Sequence, residues 1–116
     1  MCWRIEVSEA AERDLELLFH HLADSYMEFG SSRREAAAQA TARVRKIYDT
    51  TERIASAPRR GERHEDWMPG LRHLTLEKAV YWYLVEEDAQ RVRILAIFYG
   101  GQDHQRRMLL RLLQSP

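Results

Sequence analysis

"VYWYLVEEDAQRVRILAIFYGG", residues 80–101, decides the fold. Two apolar runs, 80–85 and 91–99, flank a polar loop of hairpin length, Glu86-Glu87-Asp88-Ala89-Gln90. β-branched and aromatic side chains dominate both runs and two glycines close the second, so both read as strands paired antiparallel. Neither run alternates between apolar and polar. In the second, Val92, Ile94, Ala96 and Phe98 fall on one face, and Arg93, Leu95, Ile97 and Tyr99 on the other. In the first, Val80, Trp82 and Leu84 oppose Tyr81, Tyr83 and Val85. A sheet with one wet face alternates, so these strands read as covered on both sides. A helical hairpin can cover only one of them. Either a partner chain covers the Tyr-Trp-Tyr cluster, or the cluster caps a core closed by the chain itself.

Residues 71–76 read as a third strand, turned into the next by Glu77-Lys78, which makes a meander. Residues 58–70, "PRRGERHEDWMPG", form a polar, basic connector. Further upstream, Trp3, Ile5 and Val7 alternate with Arg4 and Glu6, the pattern of a half-buried strand. Ser8 with Glu9 and Glu12 opens a helix, whose apolar positions Leu15, Leu18, Phe19, Leu22 and Tyr26 keep helical spacing up to Gly30. Ser31-Ser32 starts a second helix, expected to run to about Ala57, with Ala36, Ala40 and Val44 on one stripe. The small residues imply close approach, and the short link makes the two helices antiparallel. After Gly100-Gly101, Asp103 stands at an N-cap position, and Met108, Leu109, Leu112 and Leu113 give a short apolar helix face. The expected fold is therefore α+β, in the order β-α-α-β-β-β-α. An antiparallel sheet of about four strands carries the helical hairpin on one face and a short C-terminal helix.

The 116 residues are expected to form a single domain, 1–116, with 45% hydrophobic and 31% charged residues. One cysteine, Cys2, forms no intramolecular disulfide and suits a reducing cytoplasm. No apolar stretch approaches the roughly 18–20 residues of a membrane span, and no signal-peptide core follows Met1, so neither membrane insertion nor export is expected. Zero net charge hides alternating blocks: residues 1–32 carry net −5, 33–63 net +5, 64–90 net −4 and 91–116 net +4. Two readings follow. The blocks pair with each other, or the basic ones meet a phosphate backbone or an acidic partner.

Enzyme signatures are sparse. The sequence has no Gly-rich phosphate loop, no CxxC and no HExxH. His20 and His21 are neighbours on a helix and point about 100° apart, so they do not share a metal. His64, Glu65 and Asp66 give only a weak cation signal on a loop, and His73 reads as a packing histidine in a strand. No metal and no cofactor is expected. His104 follows Asp103 at a strand-to-helix junction beside Arg106 and Arg107, where helix amides can meet an anion. Capping by Asp103 alone explains the same junction.

Three stretches, "SEAAERDLELLFHHLADSY", "APRRGERHEDWMPGLRHL" and "YWYLVEEDAQRVRILAIFYGGQDHQRRMLLRLL", taken in order, resemble the RelE/ParE superfamily of bacterial type II toxins. The resemblance spans essentially the whole chain. It rests on Ala11 with Asp14-Leu15, on Pro58 and Gly61, on Pro69-Gly70-Leu71-Arg72 and on the terminal 100–103 segment, and it leans to the ParE-like, plasmid-stabilisation members. It implies one of two activities. RelE-like members cleave messenger RNA on the ribosome, whereas ParE-like members poison DNA gyrase, block replication and arrest growth; one fold carries both.

RNA cleavage by 2′-oxygen attack needs groups to activate the hydroxyl, stabilise the phosphorane charge and protonate the leaving oxygen. At the positions where the resemblance places an early-strand arginine, a final-motif arginine and a last-helix tyrosine, this chain has Val80, Gln102 and Met108. None carries a proton or a positive charge, and Arg72 and Arg93 make no general base. The reading that follows is a gyrase inhibitor acting by binding, with no catalytic residue. A ribosome-dependent endoribonuclease and a non-toxic interaction module of the same fold are the alternatives. Target contact is assigned to Gln102, Asp103, His104, Arg106, Arg107 and Arg111. The resemblance also implies a cognate antitoxin with an acidic, amphipathic tail, in a hetero-oligomer with this chain. Arg59, Arg60, Arg72, Trp82, Arg93, Leu95 and Tyr99 are expected to bind it, through apolar burial and charge pairing.

Overall fold

The structure is a computed structural model and describes residues 3–100 and 103–114. Strand β1 (Arg4–Val7) leads into helix α1 (Glu9–Glu28), and α2 (Arg33–Asp49) runs back against it. A short helix α3 (Thr51–Ser56), a 3-10 turn (Pro58–Arg60) and a two-residue strand β2 (Glu62–Arg63) follow. Then come β3 (Leu71–Leu76), β4 (Ala79–Glu86), β5 (Arg91–Tyr99) and helix α4 (His104–Gln114).

The caps are chemical. Ser8 accepts from the Ala11 amide, and Ser32 exchanges bonds with Glu35 in a capping box. The expected single second helix breaks at Thr50-Thr51. Their hydroxyls donate to the carbonyls of Lys46 and Tyr48 at 2.7 Å each, and such back-bonding bends a helix.

The sheet has five strands in the order β1-β5-β4-β3-β2. It is mixed, which departs from the expected antiparallel sheet of four: β1 pairs parallel with β5, and the remaining pairs are antiparallel. The connector supplies the extra strand, β2, along the far edge.

Register corrects the reading of the faces. Tyr83 pairs with Ile94 but Trp82 with Ala96, so a bulge leaves Leu95 without a partner opposite. One extra residue reverses the parity beyond it. Ile97 and Tyr99 therefore join Val92 and Ile94 on the hairpin side, packed with Tyr81, Tyr83, Leu15, Leu18, Ala40 and Ile54. Ala96 and Phe98 turn to the second side, with Leu71, Val80 and Trp82.

Both sides are closed by the chain itself. Met108 and Leu112 of α4, with Trp67 and Met68 of the connector, cover the second face. Tyr81, Trp82 and Tyr83 are 1%, 0% and 0% exposed, so the aromatic cluster needs no partner chain to cover it.

Candidate functional site

Strand parity gathers the titratable rings on the second face. Glu62 pairs with His73, His73 with Trp82, and Trp82 with Ala96. Cross-strand partners share a face, and His64, two residues beyond Glu62, keeps to the same side. The His64 amide donates to the Leu71 carbonyl at 2.9 Å, and its own carbonyl accepts from Trp67 and Met68. That turn folds the connector back over the sheet and stacks Trp67 on Trp82, with centroids 5.5 Å apart and planes 9° apart. His64 Nε2 lies 2.7 Å from His73 Nδ1. From α4, His104 comes within 4.8 Å of the His73 ring. Trp82 Nε1–H donates to His104 Nδ1 at 3.2 Å, which holds a neutral His104 in its Nε2–H tautomer.

Burial, first, and then His104 and His64 lower the His73 pKa against an opposing pull from Glu62. Burial and His64 do the same to His104, again against Glu62. Charging one ring beside two others in a partly dry site is unfavourable. Neutral imidazoles can accept a proton, donate a hydrogen bond or ligate a metal. Among the described residues, Glu62, His64 and His73 bring one ligand atom each within 4.8 Å of the others.

The corner after β5 turns on Gly100. Its φ of +90° suits glycine, and its amide donates to the Lys78 carbonyl at 2.9 Å. Asp103 precedes α4 and its carbonyl accepts the Arg107 amide, but its φ of 56° is left-handed rather than the extended backbone usual at an N-cap. An open cavity of about 360 Å³ at this corner is lined by Thr75, Glu77, Lys78, Val80, Gly100 and His104.

The residues assigned to target contact occupy different environments. Asp103 and Arg106 are exposed, and Arg107 lies 4.2 Å over the Phe98 ring. His104 belongs to the ring cluster. Arg111 is built into the fold: it forks onto Asp14 with two 2.8 Å bonds, and Asp14 also accepts the Ile97 amide at 3.0 Å. Gln102 lies outside the described residues.

The residues assigned to antitoxin contact divide between the two faces. Arg72 points to the hairpin side and donates to the carbonyls of Arg59 and Gly61 at 2.9 Å each. Arg59 pairs with Glu87 at 2.6 Å and lies over Trp3, while Arg60 is exposed beside it. Tyr99 is also on the hairpin side and lines a cleft of about 290 Å³ with Leu17, His21 and Arg107. Trp82 and Leu95 belong to the second face, where Trp82 is wholly buried. Arg93 lies between Glu6 and Glu86, at 3.0 and 3.9 Å.

The sequence reading passed over Glu62 and Trp67. Glu62 and His64 are two apart, the spacing that puts two side chains on one face of a strand, but strand formation over two residues leaves too short a pattern to read.

No family model matches the chain, and no curated protein matches it. Solved structures do. A chain of the chromosomal ParDE toxin-antitoxin system from P. aeruginosa is 20% identical, over 86% of this chain and 98% of that one, with a TM-score of 0.62. The E. coli toxin RelE, as a double arginine-to-alanine mutant in the free state, is 11% identical over 96% and 97%, with a TM-score of 0.58. The RelBE2 toxin-antitoxin complex from Mycobacterium tuberculosis gives 16% identity over 85% and 92%, and a TM-score of 0.53. This is the RelE/ParE toxin fold. Within it, two positions that the resemblance reserves for RelE-like catalytic groups lie in the core: Val80 and Met108 are each 1% exposed and belong to one apolar cluster.

Proposed function

We propose that this chain is the toxin of a type II toxin-antitoxin pair, and that it acts by binding DNA gyrase rather than by cutting RNA. The fold supports the first part. The observation that carries the second is the burial of Val80 and Met108. An arginine or tyrosine at those positions would serve catalysis only from the surface. Here both positions pack against Trp82 and Phe98, and repacking them as polar groups would bury unpaired charge or hydroxyl. The surface for the target is the corner from Asp103 to Arg107, where Arg106 and Arg107 make no ion pair among the described residues. An antitoxin with an acidic, amphipathic segment neutralises the toxin by folding onto it.

Purified protein added to a gyrase supercoiling reaction and, in parallel, to a translation reaction tests this reading. Inhibited supercoiling with intact messenger is the expected result. A ribonuclease reading draws on one feature of the site: neutral His73 and His104, 4.8 Å apart, are groups suited to proton transfer. Messenger cleavage that His104→Ala abolishes would establish it instead.

A further inference from the structure

We infer that Glu62, His64 and His73 form a binding site for one divalent transition-metal ion of the zinc class, which clamps the connector onto the sheet. The donor set is two imidazoles and a carboxylate, a combination that suits zinc, nickel, cobalt or copper and not magnesium or calcium, which take all-oxygen shells. The donors converge by construction. Glu62 and His73 are directly opposed across β2 and β3, and His64 follows on the same side.

The donor atoms lie within 4.8 Å of one another, so small side-chain shifts would bring them around an ion. Zn–N bonds of about 2.0–2.1 Å set neighbouring tetrahedral ligand atoms about 3.3 Å apart. Glu62 Oε2 is already 3.5 Å from His64 Nε2. His64 Nε2 and His73 Nδ1, at 2.7 Å, need to part by roughly half an ångström. In the metal-free pair one proton lies between these two nitrogens. When the ion enters, that proton moves to the outer nitrogen of the same ring, so both facing nitrogens offer lone pairs and both rings stay neutral. His104 is not a ligand, because its Nδ1 lone pair accepts from Trp82 and its Nε2 carries the proton.

The surroundings suit a bound ion. His64 is 7% exposed and packs beside the stacked Trp67 and Trp82, at ring distances of 5.0 and 4.7 Å. The Glu62 side chain is 64% exposed, so the ion has a route in from solvent and a fourth position for water. An ion here would join His64 of the connector to His73 of β3, beyond the hydrogen bonds that now hold the turn.

The test uses the full chain, free of any tag and treated with chelator. Calorimetric titration with Zn²⁺ is expected to show one site per chain and a raised melting temperature, with no response to Mg²⁺ or Ca²⁺. Ni²⁺ or Cu²⁺ is expected to quench the emission of Trp67 and Trp82. His73→Gln should weaken binding by at least about 100-fold, and the exposed Glu62→Gln, which leaves the packing intact, by at least about 10-fold. Cys2→Ser should leave it unchanged. Zinc affinity unaltered in either ligand variant, or lost in Cys2→Ser, would place the ion elsewhere and overturn the assignment. So would the absence of saturable binding to the wild-type chain.

Discussion

Two buried tyrosines show how single side chains tie the sheet to the helical layer. The Tyr81 hydroxyl donates to the Ile47 carbonyl at the end of α2, and the Tyr83 hydroxyl to the Pro58 carbonyl, both at 2.8 Å. Tyr83 also accepts the Gly61 amide, and a Cβ at Gly61 would lie 2.7 Å from the His73 carbonyl oxygen, so glycine is needed there. Burial, above all, pushes the Tyr81 pKa from 10.0 up to about 12. As pH rises past about 10 the unfolded chain loses its phenolic proton first, and the folded chain keeps it until about 12. The stabilisation is thus complete below pH 10 and is lost as pH climbs through 12. Melting temperature should fall across that window more steeply in the native chain than in Tyr81→Phe. The variant itself should cost about 1 kcal/mol at neutral pH, because the Ile47 carbonyl loses its donor. Identical alkaline profiles for the two proteins would contradict the assignment.

Between elements, the contacts that matter are one apolar seam and one ion pair. Ala36 and Ala40 are wholly buried between α1 and α2, so Ala40→Arg would force a charge into the seam. A loss of several kcal/mol is expected, and an unchanged melting temperature would reject the packing. Asp14 and Arg111 dock α4 onto α1 and β5; the Asp14 side chain is 7% exposed. Asp14→Ala takes the carboxylate fork from Arg111 and leaves the Ile97 amide without its acceptor, at an expected cost of about 2 kcal/mol in denaturant unfolding. A loss below about 1 kcal/mol would mean that α4 is held by its other contacts, with Met108 and Leu112 in the second core and His104 against Trp82. These elements were unequally legible in the sequence. Helix starts were readable because Ser8 and Ser32 carry their chemistry locally. The break at Thr50 was not, because threonine back-bonding leaves no periodic trace. The bulge at Leu95 escaped for a related reason: both faces are apolar, so a one-residue slip of parity changes nothing in the pattern.

At the scale of the whole molecule, the alternating charge blocks meet at a few ion pairs, which among the described residues engage six of the 18 Lys and Arg side chains. Lys46 meets Glu77, Arg59 meets Glu87, Arg91 meets Glu6 and Glu86, and Arg111 meets Asp14. The sequence showed the blocks but not their pairing, since the partners are distant in the chain. Likewise it showed a second apolar face but not its cover, because residues 58–70 look like a solvated loop until His64 and Trp67 are seen beneath and beside Trp82. Arg106 and Arg107, in no ion pair among the described residues, stand at the corner with Lys78, Arg107 being steadied by Phe98. Deleting α4 would be a poor test of that corner, because Met108 shields Trp82 and the second core would open to water. Charge reversal is cleaner. Arg106→Glu with Arg107→Glu should leave the melting temperature within a degree or two and reduce toxicity strongly. On the gyrase reading proposed above, the native chain expressed on its own should arrest growth with blocked replication, filamentous cells and an induced DNA-damage response, while transcripts stay whole. Arrest by the doubly reversed variant at native strength would remove this surface from the mechanism. Transcripts cut within ribosomal A-site codons, with supercoiling untouched, would refute the gyrase reading, and loss of that cleavage in His104→Ala would place the activity at the histidine cluster.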